Sequence, residues 1–541
     1  MRQLRSLWAG WLPGVLAALG LLGFAVMLFV VLLRSAGTIS FSSIDPQTLH
    51  VVQFTLYQAL LSTILSVGLG LLLAWALAHQ PRFRGRSLLI ALFSSSLVLP
   101  TLVVVFGLIG IYGRNGWINQ LLSWVSGHDL GSYLYGLFGI LLAHVYLNAS
   151  FASRAFLHAF ESIPQEKYKL AKSLCFGAWQ RFWIVEWPSL KQTVWSSAAT
   201  IFLLCFTSFA IVLILGGSPK YNTIEVAIYE AVKLDFDLPT ALKLALIQLA
   251  LTSVLVLLSS SFRSSITNLK NSTARIIWQE SRGIIWLQRG LILLFTLFFV
   301  TPLLSIIVEG VDAGLWQIVQ RPIFLQALVT SLAVATLSAL LTLLLVLVLS
   351  SAKRNFDMPT RLGRSPWARL WSLLITLSGN LYLAIPTLVM GLGFFLLALH
   401  SALPRTLWAW IAILTANVLM SLPFAMAVIY PQMMKISQRY DKLSFSLGLG
   451  RRERFFAVEL PYLRGVMAYV FALSFCLSLG DLGIIALFGN ESFITLPWYL
   501  YGLMGSYQSQ DAAGVALVML LLSVTVFVWI TKLFGGRDVT H

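Results

Sequence analysis

Long apolar runs separated by short polar stretches recur from one end of this 541-residue chain to the other. Twelve of them, at residues 11–33, 52–78, 88–112, 135–157, 193–215, 241–262, 290–308, 324–350, 371–398, 407–430, 465–488 and 512–533, are long enough to span a bilayer as helices. The first follows Arg2 and Arg5 and superficially resembles a signal peptide. Its length and the lack of a convincing small-x-small cleavage pattern predict a retained first helix instead.

The pattern is duplicated. SLCFGAWQRFWIVEWP, closing at Pro188, and SLGLGRRERFFAVELP, closing at Pro461, align at a constant offset of 273 residues. Leu174 then matches Leu447, Phe182 matches Phe455, Val185 matches Val458, and Glu186 matches Glu459. LPTLVVVFGLIGIYG from Leu99 corresponds to IPTLVMGLGFFLLAL from Ile385, and TIEVAIYEA from Thr223 to TLPWYLYGL from Thr495. An even number of crossings separates the copies, which predicts two tandem halves of six spans in parallel orientation. The first half covers residues 1–262, a polar linker covers 263–289, and the second half covers 290–541.

Charge adds a direction. Arg82, Arg84, Arg86, Lys167, Lys169, Lys172, Arg181, Arg263, Lys270, Arg275, Arg282, Lys353, Arg354, Arg361, Arg364, Lys435, Arg439, Lys442 and Arg452 fall in alternate loops. The intervening loops gather Asp45, Asp129, Glu225, Glu230, Asp235, Asp237, Asp312, Glu491 and Asp511. This asymmetry predicts that both termini are cytoplasmic. Charged residues are 11% of the chain and hydrophobic ones 58%, against roughly 25% charged in a soluble domain. The expected class is therefore an all-α polytopic membrane protein in a lipid bilayer, and the net charge of +17 reads as cytoplasmic loops rather than nucleic-acid binding. Cys175, Cys205 and Cys476 lack metal-ligand spacing, so neither a metal site nor a disulfide framework is expected.

The duplicated loops, near 163–188 and 436–461, are basic and studded with aromatic residues. A short helix followed by a turn and a proline is expected not to run continuously into the next span, and so to lie across the membrane surface. Trp179, Phe182, Trp183, Phe455 and Phe456 suit a groove on a partner, with Arg451, Arg452 and Arg454 as orienting charge. Anchoring at the membrane interface is the simpler use of such residues, and duplication in register favours the partner.

IPQEKYKLAKSLCFGAWQRFWIVEWP from Ile163 and ISQRYDKLSFSLGLGRRERFFAVELP from Ile436 resemble the "EAA" loops of inner-membrane permeases of bacterial type I ABC importers. The signature Glu-Ala-Ala is replaced by Lys169-Leu170-Ala171 and Lys442-Leu443-Ser444; the expected glycine is kept at Gly448 and replaced by Cys175. Across nearly the whole chain, VFGLIGIYGRNGW, YGLFGILLAHVYLN, LSLGDLGIIALFGN and TLPWYLYGLMGSYQSQD resemble the fused two-copy permeases of thiamine importers. Fused ferric iron permeases share the architecture and loop pattern and form the alternative. The resemblance implies a bacterial inner-membrane location, thiamine or its phosphate esters as substrate, a homodimeric cytoplasmic ABC ATPase docking on the two loops, and a periplasmic substrate-binding protein. It also implies that Leu174, Cys175, Trp179, Phe182, Glu186, Pro188, Leu447, Gly448, Arg451, Arg452, Phe455, Glu459 and Pro461 form the coupling loops.

No G-x-x-x-x-G-K-[ST] motif is present, and no Gly-Lys pair. The chain is thus expected to be no enzyme and to bind no cofactor, ATP and Mg being handled by the partner. Polar groups in spans point to a path or to helix contacts. His144 and Asn148 share one helix face, Asn417 repeats the place of His144, and Asp481 stands opposite Ser208. Tyr112, Tyr146, Trp498, Tyr499 and Tyr501 offer faces to a cationic substrate. An ion-coupled secondary transporter also fits twelve spans in two parallel halves, but Asp481 is nearly the only mid-span carboxylate and the G-x-x-x-D-R-x-G-R loop is absent.

Overall fold

The computed structural model describes residues 2–35, 45–128, 131–260, 281–358, 366–490 and 492–534. Most of the linker, with Arg263, Lys270 and Arg275, lies outside these residues, as do Asp129, Arg361, Arg364, Glu491 and the side chain of Arg451. Two series of helices follow one another. The first is α1 (Arg2–Ser35), α2 (Pro46–His79), α3 (Arg86–Ser94), α4 (Thr101–Tyr112), α5 (Trp117–Ser126), α6 (Leu137–Glu161), α7 (Gln165–Ser173), α8 (Ala178–Arg181), α9 (Trp187–Phe206), α10 (Ala210–Leu215), α11 (Ile224–Lys233) and α12 (Leu238–Ser260). The second is α13 (Arg282–Asp312), α14 (Leu315–Val319), α15 (Pro322–Asp357), α16 (Pro366–Asn380), α17 (Thr387–Leu399), α18 (Arg405–Ser446), α19 (Arg451–Arg454), α20 (Leu460–Leu479), α21 (Gly483–Phe488), α22 (Leu496–Gly505) and α23 (Ser509–Phe534). Residues 282–289, assigned to the linker from sequence, are the first turns of α13.

Among the described residues, ten helices are long and apolar enough to cross a membrane, or eleven if one bent pair counts as a span. Twelve were expected. The expected 88–112 segment breaks between Ser95 and Pro100, and the matching 371–398 segment bends by 92° before Thr387. Each break has a 3₁₀ turn followed by a proline, Pro100 or Pro386, which sits just before the new helix. Proline lacks the N–H that continues a helix and pushes the residue before it out of the α region. The expected 193–215 segment is likewise two helices, α9 and α10, parted at Thr207 to Phe209.

The chain divides into two compact units. One contains α2 to α10, the later part of α12 and α13; its core is α2 packed on α6 and α9. The other contains α1, the start of α12 and the second series from α15 onward; its core is α15 packed on α18 and α20. The first helix of each series therefore packs with the opposite series. In the first unit α13 lies so close to α4 that a Cβ on Gly107 would come within 2.6 Å of the Pro302 carbonyl. Tyr146 of α6 donates to the Phe299 carbonyl at 2.7 Å and stacks on that ring, centroids 4.6 Å apart. In the other unit Tyr382 donates to the Leu21 carbonyl of α1 at 2.7 Å, and Phe24 packs on Phe394.

Smaller devices repeat as well. Thr55 Oγ1 accepts the Ile224 N–H at the start of α11, and Ser331 Oγ accepts the Leu496 N–H at the start of α22. Orphan N–H groups at a helix start need such partners, most of all away from water.

Candidate coupling loops

Both loops are built from the same turns. α7 ends at Leu174, after which Cys175 takes the left-handed conformation at φ 55°. The Phe176 N–H returns to the Ala171 carbonyl and the Cys175 N–H to the Lys172 carbonyl. α18 ends at Leu447, Gly448 has φ 64°, the Leu449 N–H returns to Ser444 and the Gly448 N–H to Phe445. This pair of bonds is the Schellman closure, and its left-handed residue is most often glycine because a Cβ is crowded there. The next short helices, α8 and α19, open alike: Gln180 accepts the Gly177 N–H at 3.0 Å, and Glu453 accepts the Gly450 N–H at 2.8 Å.

Pro188 and Pro461 do not interrupt the chain of helix as expected. A π-type turn, Phe182–Glu186 or Phe455–Glu459, joins each short helix to the following span without a break. The proline lies within the first turn of α9 or α20. Its ring would press on the carbonyl four residues back in a regular helix, and the wider turn relieves this. The bend that isolates each loop is instead the left-handed turn at Cys175 or Gly448.

The wide turn also sets the charges. Residues five apart lie roughly 140° apart around a regular helix, but a π turn brings them onto one face. Arg181 Nε thereby meets Glu186 Oε1 at 3.1 Å, and Arg454 Nε meets Glu459 Oε1 at 3.0 Å. All four are drawn inward; Arg181 and Glu186 are fully buried. His79 at the end of α2 reaches the same Glu186 oxygen through Nε2 at 3.1 Å, and Tyr168 of α7 adds a longer bond of 3.4 Å. Burial and the Glu186 carboxylate raise the Tyr168 phenol well above its ordinary range, so it remains a neutral donor. In the second loop Arg354 of α15 reaches Glu459 at 2.7 Å, and Arg454 also binds Asp441 at 2.5 Å and Ser437 at 3.2 Å.

What faces outward is apolar. Leu174, Leu447 and Trp179 are 57%, 64% and 73% exposed, and Leu170, Leu443 and Phe456 are exposed beside them. Cys175, Gly448, Arg452, Pro188 and Pro461 are exposed too, while Phe182 and Phe455 are half-buried. The expected coupling residues therefore separate into an outer surface and a buried clasp holding Glu186 and Glu459. His79, Arg354, Tyr168 and Asp441 were not read from the sequence as members of that clasp. Tyr168 and Asp441 are related by the same offset of 273 residues, which was the available signal.

The polar residues within the spans are engaged between helices. His144 Nδ1 lies 2.9 Å from Ser62 Oγ, Asn148 donates to Cys205 Sγ at 3.3 Å, and Gln58 donates to the Cys205 carbonyl at 2.9 Å. Asn417 donates to Ser478 Oγ at 2.7 Å. Asp481 stands at the break between α20 and α21, where Oδ1 accepts the Gly483 N–H at 3.1 Å. Tyr112 is half-buried at the end of α4. Among the described residues, no cluster of His, Cys, Asp and Glu could hold a metal ion.

The family model described as "Binding-protein-dependent transport system inner membrane component" matches residues 66–275 and 358–537, once in each series. The chain is 40% identical over 538 residues to the thiamine transport system permease protein ThiP of Salmonella typhimurium, covering 98% of both chains. It is 40% identical to ThiP of Escherichia coli, again over 98% of both, and 38% identical to ThiP of Haemophilus influenzae over 92% of this chain and 90% of that one. Two copies of one helical plan, each with the same buried clasp beneath an exposed apolar loop, coincide with the two matched segments, and the chain belongs to the family of inner-membrane components of binding-protein-dependent transport systems.

Proposed function

We propose that this chain is the membrane-spanning subunit of a thiamine importer powered by a separate cytoplasmic ATPase dimer, one ATPase subunit docking on each loop. Thiamine is the substrate in the names of the relatives that align over nearly the full length. The observation that carries the coupling role is the matched pair of loops, each with exposed leucines at a left-handed turn and charges buried behind it. Such apolar anchors ringed by polar groups are what a partner's groove takes up. A periplasmic protein delivers the substrate, and both termini face the cytoplasm with the basic loops. Closure of the ATPase dimer draws the loops and rocks the helices by a rigid-body change.

For the path, Asp481 and Tyr112 are the proposed contacts with the cation. After capping α21, Asp481 keeps its Oδ2 without a hydrogen-bond partner. Asp481→Asn should keep the cap and lower thiamine uptake; unchanged uptake in a correctly assembled complex removes this role. His144, Asn148, Asn417 and Tyr146 brace helices in this reading.

Uptake of labelled thiamine, with ferric iron in parallel, by cells lacking the chain and cells with it restored tests the whole proposal. Thiamine uptake that returns with the chain and collapses on ATP depletion supports it. Restored iron uptake instead moves the substrate and keeps the coupling; uptake indifferent to ATP leaves an ion-coupled transporter.

A further inference from the structure

Each loop is held from outside itself by one cation on a membrane helix: His79 at the end of α2 and Arg354 in the last turn of α15. We propose that these two are positioning residues that carry loop movement into α2 and α15, and that the His79 tie holds only while its ring is an imidazolium. The proposal rests on the coupling-loop reading.

The charge state follows from what each ring nitrogen faces. Nδ1 lies 2.9 Å from the Trp75 carbonyl, which can only accept. Nε2 lies 3.1 Å from Glu186 Oε1, and that oxygen also accepts from Arg181 Nε, as an ionised carboxylate does. Two acceptors require two ring protons. Glu186, Arg181 and Tyr168 are the titratable groups His79 meets from the loop side. From α6 it meets the Phe160 ring edge-on, and from its own helix the Trp75 ring. A neutral ring would set a lone pair against the carboxylate, and the tie would open. Arg354, bonded to Glu459 at 2.7 Å, keeps its charge at every physiological pH. The first loop is therefore firmly held at low pH and released as pH rises through the His79 transition, whereas the second stays held.

The chemistry is a switchable tie in one loop and a fixed one in the other, and it can be read in two ways. In liposomes carrying the chain with its ATPase and binding-protein partners, thiamine uptake per ATP hydrolysed is measured between about pH 6 and pH 9, the range that brackets imidazole titration. His79→Gln should retain the ATPase subunit yet lower uptake per ATP by about tenfold, the loss expected of one buried charge-assisted bond. His79→Arg should keep uptake and flatten the alkaline fall. An unchanged ratio in His79→Gln, or an alkaline fall that survives in His79→Arg, overturns the proposal. A second readout needs no partner: Cys175 is exposed in the first loop while Cys205 and Cys476 are buried. Its maleimide labelling rate in the isolated permease, divided by the rate in His79→Arg, should rise with pH. A constant ratio also overturns the tie. Failure of the wild-type chain to bind any ATPase removes the coupling reading alone, since the labelling ratio still decides the tie.

Discussion

The first coupling loop is hinged and the second is not. Between α6 and α7 the helix stops at Ser162 and resumes after Pro164, so α7 is a separate piece of nine residues. In the second copy Ile436 is followed by Ser437, and α18 runs unbroken for 42 residues from Arg405 to Ser446, carrying Pro423 and Pro431 inside it. The short surface helix expected in both loops is thus found in the first alone. The two copies also differ in the residue at the left-handed turn, Cys175 against Gly448, and in the tie, His79 against Arg354. One loop combines a hinge, a strained turn and a titratable tie; the other combines a continuous helix, a relaxed turn and a permanent charge. A partner that pulls equally on both will meet unequal resistance, so duplication of sequence does not imply duplication of mechanics.

The largest effect should come from the buried clasp of the stiff loop. Arg454→Ala leaves Glu459 and Asp441 buried without the cation that joins them, a loss of about 3–5 kcal/mol; a detergent-solubilised variant should melt well below the parent. Glu459→Gln, which keeps the shape and removes the charge, should fall between the two. Next come the exposed leucines. Leu447→Asp and Leu174→Asp should each weaken ATPase binding by about 2 kcal/mol, the scale of an interface anchor, while melting temperature stays unchanged. A larger loss at Leu447 than at Leu174 would sharpen the contrast, because a rigid lever cannot readjust to a poorer contact; equal losses would break it.

Backbone strain follows. Gly448→Ala places a Cβ at φ 64° and should destabilise by about 1 kcal/mol, whereas Cys175→Gly should stabilise by a similar amount. Thermal melts of the two variants check the opposite signs. The smallest effect is expected at the caps. Gln180→Ala and Glu453→Ala each lose one exposed bond to a glycine N–H and should cost about 0.5–1 kcal/mol, measured as faster amide exchange at Gly177 and Gly450.

The helical class, the tandem halves and the position of both loops were legible in sequence because apolar length and a repeat at fixed offset are properties of the chain alone. The repeat even marked Glu186 and Glu459. What it could not show is that both face inward, since their burial depends on a π turn that no residue pattern announces and on cations contributed by α2 and α15, more than a hundred residues away. The count of spans failed for a local reason: Pro100 and Pro386 sit inside apolar runs whose hydropathy continues across the break. His144, Asn148 and Asn417 were read as either path or helix contacts, and only packing against Ser62, Cys205 and Ser478 supplied their bonds.

By itself the sequence determined the environment, the helices and the duplication, because lipid demands long apolar segments and a copied gene segment preserves spacing. Tertiary structure alone decided that α1 and α13 pack with the opposite series, which loop is hinged in practice, and which charges hold each loop. Those outcomes depend on which distant groups meet in a medium where an unpaired charge cannot be left, and meeting is a property of the fold rather than of the order of residues.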